Sequence, residues 1–359
     1  MDSRERVVRT LRFEHPDRAP RDLWALPGIG MFRRPELDAM LRRFPPDITR
    51  PYARYGRGER EQGVPHLVGT YTDAWGCVWH VAEPGVIGEV KAPPLADWAA
   101  LRHYKPPFEI LDRADFRRTA PVQNNSGQYA TAQGAGLAAL GGAEKGFVLA
   151  GTTIRPFERM QFLRGSEALF LDLAGEPPEL YTLRDMLHDF FLRELEMWCA
   201  TEVDGISFMD DWGAQNALLI SPHQWRAMFK PLYRDYVERI HRAGKFAFFH
   251  SDGYIMDIYP DLIEIGVDAV NSQLFCMDIE EIGRRYRGKI TFWGEIDRQQ
   301  ILPFGTPAQV RAAVHRVRAA LDDGRGGVFA QCEWGNDVPA ENVAAVFEAW
   351  MENRQVEQA

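Results

Sequence analysis

Phe246-Ala247-Phe248-Phe249-His250-Ser251-Asp252-Gly253 runs from four apolar residues straight into a histidine, a serine, an aspartate and a glycine. An apolar run of this length, bounded by turn-forming residues, reads as a buried strand. Side chains on a strand alternate with period 2, so His250 and Asp252 leave its C-terminal end on the same side. Gly253 then permits a sharp change of direction. Four other runs end alike. Phe208-Met209 passes into Asp210-Asp211-Trp212-Gly213, and Ala269-Val270 into Asn271-Ser272-Gln273. Ile290-Thr291-Phe292 passes into Trp293-Gly294-Glu295-Ile296-Asp297, and Gly327-Val328-Phe329-Ala330 into Gln331-Cys332-Glu333-Trp334-Gly335. Strands whose C-terminal ends all carry polar groups describe a parallel α/β barrel with its chemistry at one mouth.

The segments between these runs supply crossover helices. Ser221-Pro222 opens the clearest one, with Ser at the N-cap and Pro in the first turn. Its apolar stripe is Trp225, Met228, Phe229, Leu232, Tyr236 and Ile240, and Gly244 closes it. Further helices are expected over 167–173, 178–198, 257–265, 278–287 and 307–321, with a last one from Pro339. Residues 3–13 read as an opening amphipathic helix with Val7, Val8 and Leu11 on one face. The proline-spaced segment 15–24 leads into a first strand. Residues 70–90 read as a β-hairpin turning near Pro84-Gly85. Gly134-Ala135-Gly136 and Gly324-Arg325-Gly326-Gly327 match neither a phosphate-binding loop nor a dinucleotide fingerprint.

Bulk properties narrow the classes. The chain has 359 residues, 45% of them hydrophobic, enough for one large barrel spanning 1–359. A net charge of −9 with no basic stripe argues against nucleic acid. No run of about 18 apolar residues is present, and the charged N-terminus lacks the apolar core of a signal peptide. The expected location is the cytoplasm. The four cysteines, 77, 199, 276 and 332, include no C-x-x-C pair, so disulfides are not expected.

The strand ends carry the candidate chemistry. His250, Asp252 and Cys332 are plausible ligands for zinc: imidazole, carboxylate and thiolate, with one position open. Asp210, Asp211 and Glu295 are candidates for proton transfer or for holding a cationic group. Asp297 reads as a helix cap. Trp75, Trp79, Trp212, Trp293 and Trp334 would either wall a pocket or fill the barrel rim.

Several segments carry a family resemblance. Ser3-Arg4-Glu5-Arg6-Val7, His15-Pro16-Asp17-Arg18-Ala19-Pro20, Trp75-Gly76-Cys77-Val78-Trp79, Asp210-Asp211-Trp212-Gly213, Phe249–Gly253, Asp261–Asp268, Phe292–Asp297 and Asp337–Asn342 resemble the uroporphyrinogen decarboxylase superfamily. The resemblance implies a (β/α)8 TIM barrel with N-terminal helical and β-hairpin insertions. The arginine-rich N-terminal motif with which haem-pathway decarboxylases grip porphyrinogen carboxylates is missing; the region reads Arg18-Ala19-Pro20-Arg21-Asp22-Leu23-Trp24. The other branch comprises cobalamin-linked methyltransferases, whose zinc motif is His-x-Cys with a distant second Cys. This chain is similar in keeping His250 and Cys332 but has Asp252 in the first Cys position.

The resemblance implies methyl transfer between a small methylated substrate (methoxy, methylamine or thiol type) and a corrinoid carried by a partner protein, assisted by zinc. Asp211, Glu295 and Asp210 would be catalytic. Trp212, Gln273, Asn271, Trp293, Glu333 and Tyr254 would bind substrate, and His250, Asp252 and Cys332 the metal. The expected state is a monomer or homodimer, with no nucleic-acid or membrane partner. The alternatives are a metal-free decarboxylase or lyase of a small or tetrapyrrole carboxylate, and a barrel that binds a corrinoid or small molecule without catalysis.

Overall fold

The computed structural model describes residues 1–119 and 146–352. Gly134-Ala135-Gly136 lies outside them. Eight parallel strands form the ring: β1 Arg21–Ala25, β2 Ile48–Thr49, β3 Phe147–Gly151, β4 Gly205–Met209, β5 Phe246–Ser251, β6 Ala269–Ser272, β7 Thr291–Phe292 and β8 Ala330–Trp334. Strands β2 to β7 make one six-stranded sheet in sequence order, and β1 pairs with β8. A parallel bridge from Phe292 to Val328 joins β7 to the approach of β8. The Asp47 N–H donates to Arg21 O at 2.8 Å, joining β1 to β2. Among the described residues these two contacts close the ring, as a barrel requires.

Period-2 alternation divides the barrel's side chains into two layers. Phe147, Leu149, Phe248, Ala269, Trp293 and Phe329 point inward and pack with Val7 and Leu11 of the opening helix Ser3–Leu11. That helix therefore plugs the N-terminal end of the barrel. The alternate residues, such as Val148, Ile206, Phe249, Val270, Cys332 and Trp334, pack outward into the layer beneath the helices.

Most crossover helices follow the expected spans, for example Pro178–Cys199, Ile279–Tyr286 and Pro307–Leu321. The helix expected from Ser221 is broken in two, Pro222–Met228 and Lys230–Arg242, with Phe229 at the junction. Pro231 is the cause, since it lacks an N–H and its ring crowds the carbonyl four residues back. The expected hairpin is a three-stranded antiparallel sheet, Gly69–Thr72, Val78–Val81 and Glu89–Ala92. Among the described residues no helix is long and apolar enough to cross a membrane.

Asp47, just before β2, ties the plug to the barrel. Its buried carboxylate accepts from Arg6 Nη1 at 2.6 Å, Arg18 Nη1 at 2.7 Å, the Arg21 N–H at 2.7 Å and Ser3 Oγ at 2.8 Å. Burial works against the charge, but the bonds from Arg18, Arg21 and Ser3 hold its pKa below the usual carboxylate value. A depressed carboxylate stabilises the fold above its unfolded pKa and loses that contribution as pH falls through the folded value. Asp47→Ala should therefore cost about 2–4 kcal/mol at neutral pH, because Arg6, Arg18, Ser3 and the Arg21 N–H all lose a buried acceptor. Denaturant titrations from pH 7 to pH 3 should show the difference from wild type shrinking as acid protonates Asp47.

Candidate functional site

Two glycines bring the loops after β4 and β5 together. Gly253 has φ +74, and a Cβ there would lie 2.2 Å from Gly213 O; a Cβ on Gly213 would lie 2.2 Å from Tyr254 N. Only residues without side chains allow this approach. It is locked by Gly213 N–H to Asp252 O at 3.0 Å and Tyr254 N–H to Ala214 O at 2.8 Å. Asp211 and Asp252 are thereby held side by side, with the Asp252 N–H donating to Asp211 Oδ1 at 3.0 Å.

His250 ends β5 on its inward face, 6% exposed. Its Nδ1 lies 2.6 Å from Asn271 Oδ1 on the neighbouring strand β6. Asn271 donates its Nδ2 to Trp293 O at 2.5 Å, so its oxygen faces the imidazole and His250 Nδ1 must be the donor. In the neutral ring this leaves a lone pair on Nε2. That nitrogen faces Asp252 Oδ1 at 3.5 Å and Asp211 Oδ1 at 3.6 Å. Potential ligand atoms of Asp211, His250 and Asp252 all lie within 4.8 Å of one another, and Asp252 Oδ1 is buried without a hydrogen-bond partner. Three electron-pair donors converge, with the Asp252 N–H on Asp211 Oδ1 and no hydrogen bond on Asp252 Oδ1 among the described residues, which is an arrangement a divalent cation satisfies. One nitrogen and two oxygens make a harder set than a thiolate site.

Arg298 organises the acid groups on one side. It binds Asp252 Oδ2, donates to Glu333 Oε1 at 2.8 Å and lies 3.4 Å from Glu295 Oε2. Glu295 is 3% exposed. Burial pushes its pKa well above the usual range; Arg298 pulls it back, and Asp252, Glu333 and Asp211 push it further up. Beside Glu295 opens a cavity of ≈ 150 Å³, lined in part by Gln273, Cys276 and Arg298. Trp24 flanks the other side, its ring 5.3 Å from that of His250. Asp22 orients it by accepting from Trp24 Nε1 and Trp293 Nε1, each at 2.9 Å.

Not every expected site residue stands in this group. Cys332 is fully buried in the outward layer, outside the Asp211, His250 and Asp252 cluster. On β8 it is Glu333, one residue on, that reaches the mouth. Burial also raises the Cys332 thiol pKa, with Glu295 and Glu333 adding to the effect. Asp210 turns away from Asp211. It accepts from the Phe157 N–H at 2.9 Å, the Glu158 N–H at 2.8 Å and Tyr233 Oη at 2.6 Å, capping the helix Pro156–Arg164. Trp212 stacks on Phe157 at 4.2 Å and donates to Tyr233 Oη at 2.9 Å, wholly in the core.

Trp75, Trp79, Trp293 and Trp334 are also buried, so the aromatic set fills core. Asn271 supports His250, Gln273 lines the cavity, and Tyr254 is half-buried with no side-chain hydrogen bond to the cluster among the described residues. Asp297 caps the next turn through the Gln299 and Gln300 N–H groups at 3.0 and 2.9 Å, as the sequence suggests.

Sequence reasoning missed Arg298, Trp24 and Glu158. Arg298 had one available signal, its i,i+3 spacing from Glu295. Glu158 had none, since it reaches the site only because Asp210 fixes its helix. Burial raises the Glu158 pKa, and Asp211 raises it further.

The contrast between adjacent aspartates is testable by chemical denaturation. Asp210→Ala removes a cap and strands buried donors, and should cost about 2 kcal/mol or more. Asp211→Asn, at a half-exposed position, should change stability by less than about 1 kcal/mol.

Comparison with known proteins places this geometry. Among solved structures, a methyltransferase from Methanosarcina mazei matches with a TM-score of 0.66 at 15% identity, covering 98% of this chain and 98% of that chain. That is a likeness of fold. A glycosylated endo-β-1,4-xylanase of glycoside hydrolase family 10 from Gloeophyllum trabeum matches with a TM-score of 0.39 at 11% identity, over 63% of this chain and 81% of the other. No curated protein matches in sequence. The family model of uroporphyrinogen decarboxylase (URO-D) matches residues 105–352, well over half of the chain. With its closed ring of parallel strands and its polar groups gathered at the C-terminal mouth, this chain belongs to the uroporphyrinogen decarboxylase family.

Proposed function

We propose that the chain is a methyltransferase that exchanges a methyl group between a small methylated substrate and a corrinoid-carrying partner protein, with a divalent cation, zinc in the first instance, held by His250, Asp211 and Asp252. The observation that carries this reading is the convergence of the His250 Nε2 lone pair with two carboxylate oxygens. A polycarboxylate such as a porphyrinogen is disfavoured at this mouth. The arginines at the mouth already face acids: Arg298 meets Asp252, Glu295 and Glu333, Arg155 meets Glu158 at 3.6 Å, and Arg50 meets Asp22 at 3.7 Å.

A cation bound here supplies Lewis acidity toward the heteroatom from which the methyl departs or on which it arrives. The corrinoid supplies the centre that carries the methyl. The chain's own residues do the rest. Asn271 keeps the His250 ring in one tautomer and one orientation. Arg298 holds the second oxygen of Asp252 and so fixes where the first one points. Glu295 presents a buried carboxyl group at the cavity wall and shares Arg298 with Asp252 and Glu333.

Metal titration and a methyl-transfer assay test the two halves separately. Wild type should bind about one zinc per chain. His250→Ala and Asp211→Asn should each weaken binding at least about ten-fold, while Cys332→Ala should leave it unchanged. Zinc lost with Cys332 and retained without Asp211 would overturn this ligand set. Metal-loaded protein that transfers no methyl group to cob(I)alamin from methoxy, methylamine or methylthiol donors would overturn the methyltransferase reading.

A further inference from the structure

The cavity beside Glu295 is walled by more acidic than basic groups. Glu295, Asp297 and Arg298 line it, and Asp252 and Glu333 lie just behind. Arg298 is the one cation among these groups, and it is engaged by Asp252 and Glu333. A divalent ion on His250, Asp211 and Asp252 would reduce this imbalance without removing it, since that ion also faces Asp211. Glu295 is 3% exposed, and its buried Oε2 accepts no hydrogen bond among the described residues, its one cation being Arg298 at 3.4 Å, which Asp252 and Glu333 share. Desolvating a carboxyl group whose one cation is shared with two other acids is costly, and a second cation placed alongside relieves the cost.

The remaining wall sets size and polarity. A volume of ≈ 150 Å³ suits a ligand of about benzene size. Leu274, Phe275 and Ile296 supply apolar surface. Gln273 Oε1 is occupied by the Gly253 N–H at 3.0 Å and by Cys276 Sγ at 3.3 Å, which leaves its amide N–H groups to donate to a ligand oxygen. We infer that this cavity is the subsite for a small N-methylated cation with a hydroxyl or ether oxygen nearby, held through Glu295 and Gln273. The inference rests on the methyl-transfer reading for the substrate's role alone, because binding is independent of it. It separates the three donor classes: charge selects a methylated ammonium over a neutral methoxy compound or a thiol.

Isothermal titration of the full-length protein, with choline and its uncharged carbon isostere 3,3-dimethylbutan-1-ol as probes, decides it. Choline should bind at least about ten-fold more tightly than the isostere. Glu295→Gln should remove most of that preference while leaving the isostere's affinity unchanged. Cys276→Phe, which fills the cavity, should abolish binding of both. Equal affinity for the two probes, or choline binding insensitive to Glu295→Gln in a folded variant, would overturn the assignment. Should Glu295→Gln fail to fold, choline binding retained by folded Cys276→Phe would overturn it equally. Choline bound as described, with no methyl passed to cob(I)alamin, would leave the subsite standing and count against methyl transfer alone.

Discussion

Alternation along a closed ring of parallel strands decides which side chains reach the mouth. Once Phe248 is fixed inward by packing against Trp293 at 5.0 Å, His250 must also face inward and Phe249 outward. The registers of β5 with β6 and of β1 with β8 then carry the same rule around the barrel. His250 stands beside Asn271, and Trp24 beside Glu333. A one-residue shift would send each of these groups into the helix layer. The site is thus a consequence of strand phase, made precise by a glycine pair that lets two loops touch.

Much of this phase was legible in the sequence. The apolar runs, their polar ends and the His250-x-Asp252 spacing led to the barrel and to two of the three clustered donors. Cys332 stands apart from that cluster for a specific reason. Cys332 and Glu333 are both polar neighbours at a strand end, and only the pairing of Leu23 with Cys332 reveals that the cysteine lies on the outward face. Asp210 and Asp211 pose the same problem. Adjacent acids just past the end of one strand face opposite ways, and sequence alone does not say which one meets the helix N-terminus of Pro156–Arg164. The tryptophans near strand ends were ambiguous between wall and core; stacking on Phe157 and hydrogen bonds to Asp22 and Tyr233 decide for core. Glu158 depends on a helix position that no local pattern encodes, and Arg298 on a loop position signalled only by its i,i+3 spacing from Glu295.

The energetics of the two barrel ends differ. At the N-terminal end, Asp47 is surrounded by cations and donors, so its charge is stabilised and the plug helix is anchored. At the mouth, carboxyl groups outnumber their partners, and burial holds Glu295 and Glu158 away from their ordinary ionisation. Unsatisfied carboxyl groups of this kind lower stability in the empty protein and become useful when a cation or a proton-accepting substrate arrives. Satisfied acids at one end and hungry acids at the other are what a scaffold with its chemistry at one mouth should display.

The most direct measurement is anomalous diffraction at the zinc edge from crystals of the zinc-loaded protein. One peak is expected within bonding distance of His250 Nε2 and of Asp211 and Asp252 carboxylate oxygens, with the imidazole Nδ1 still on Asn271. No peak at that place, or a peak on Cys332, would contradict it.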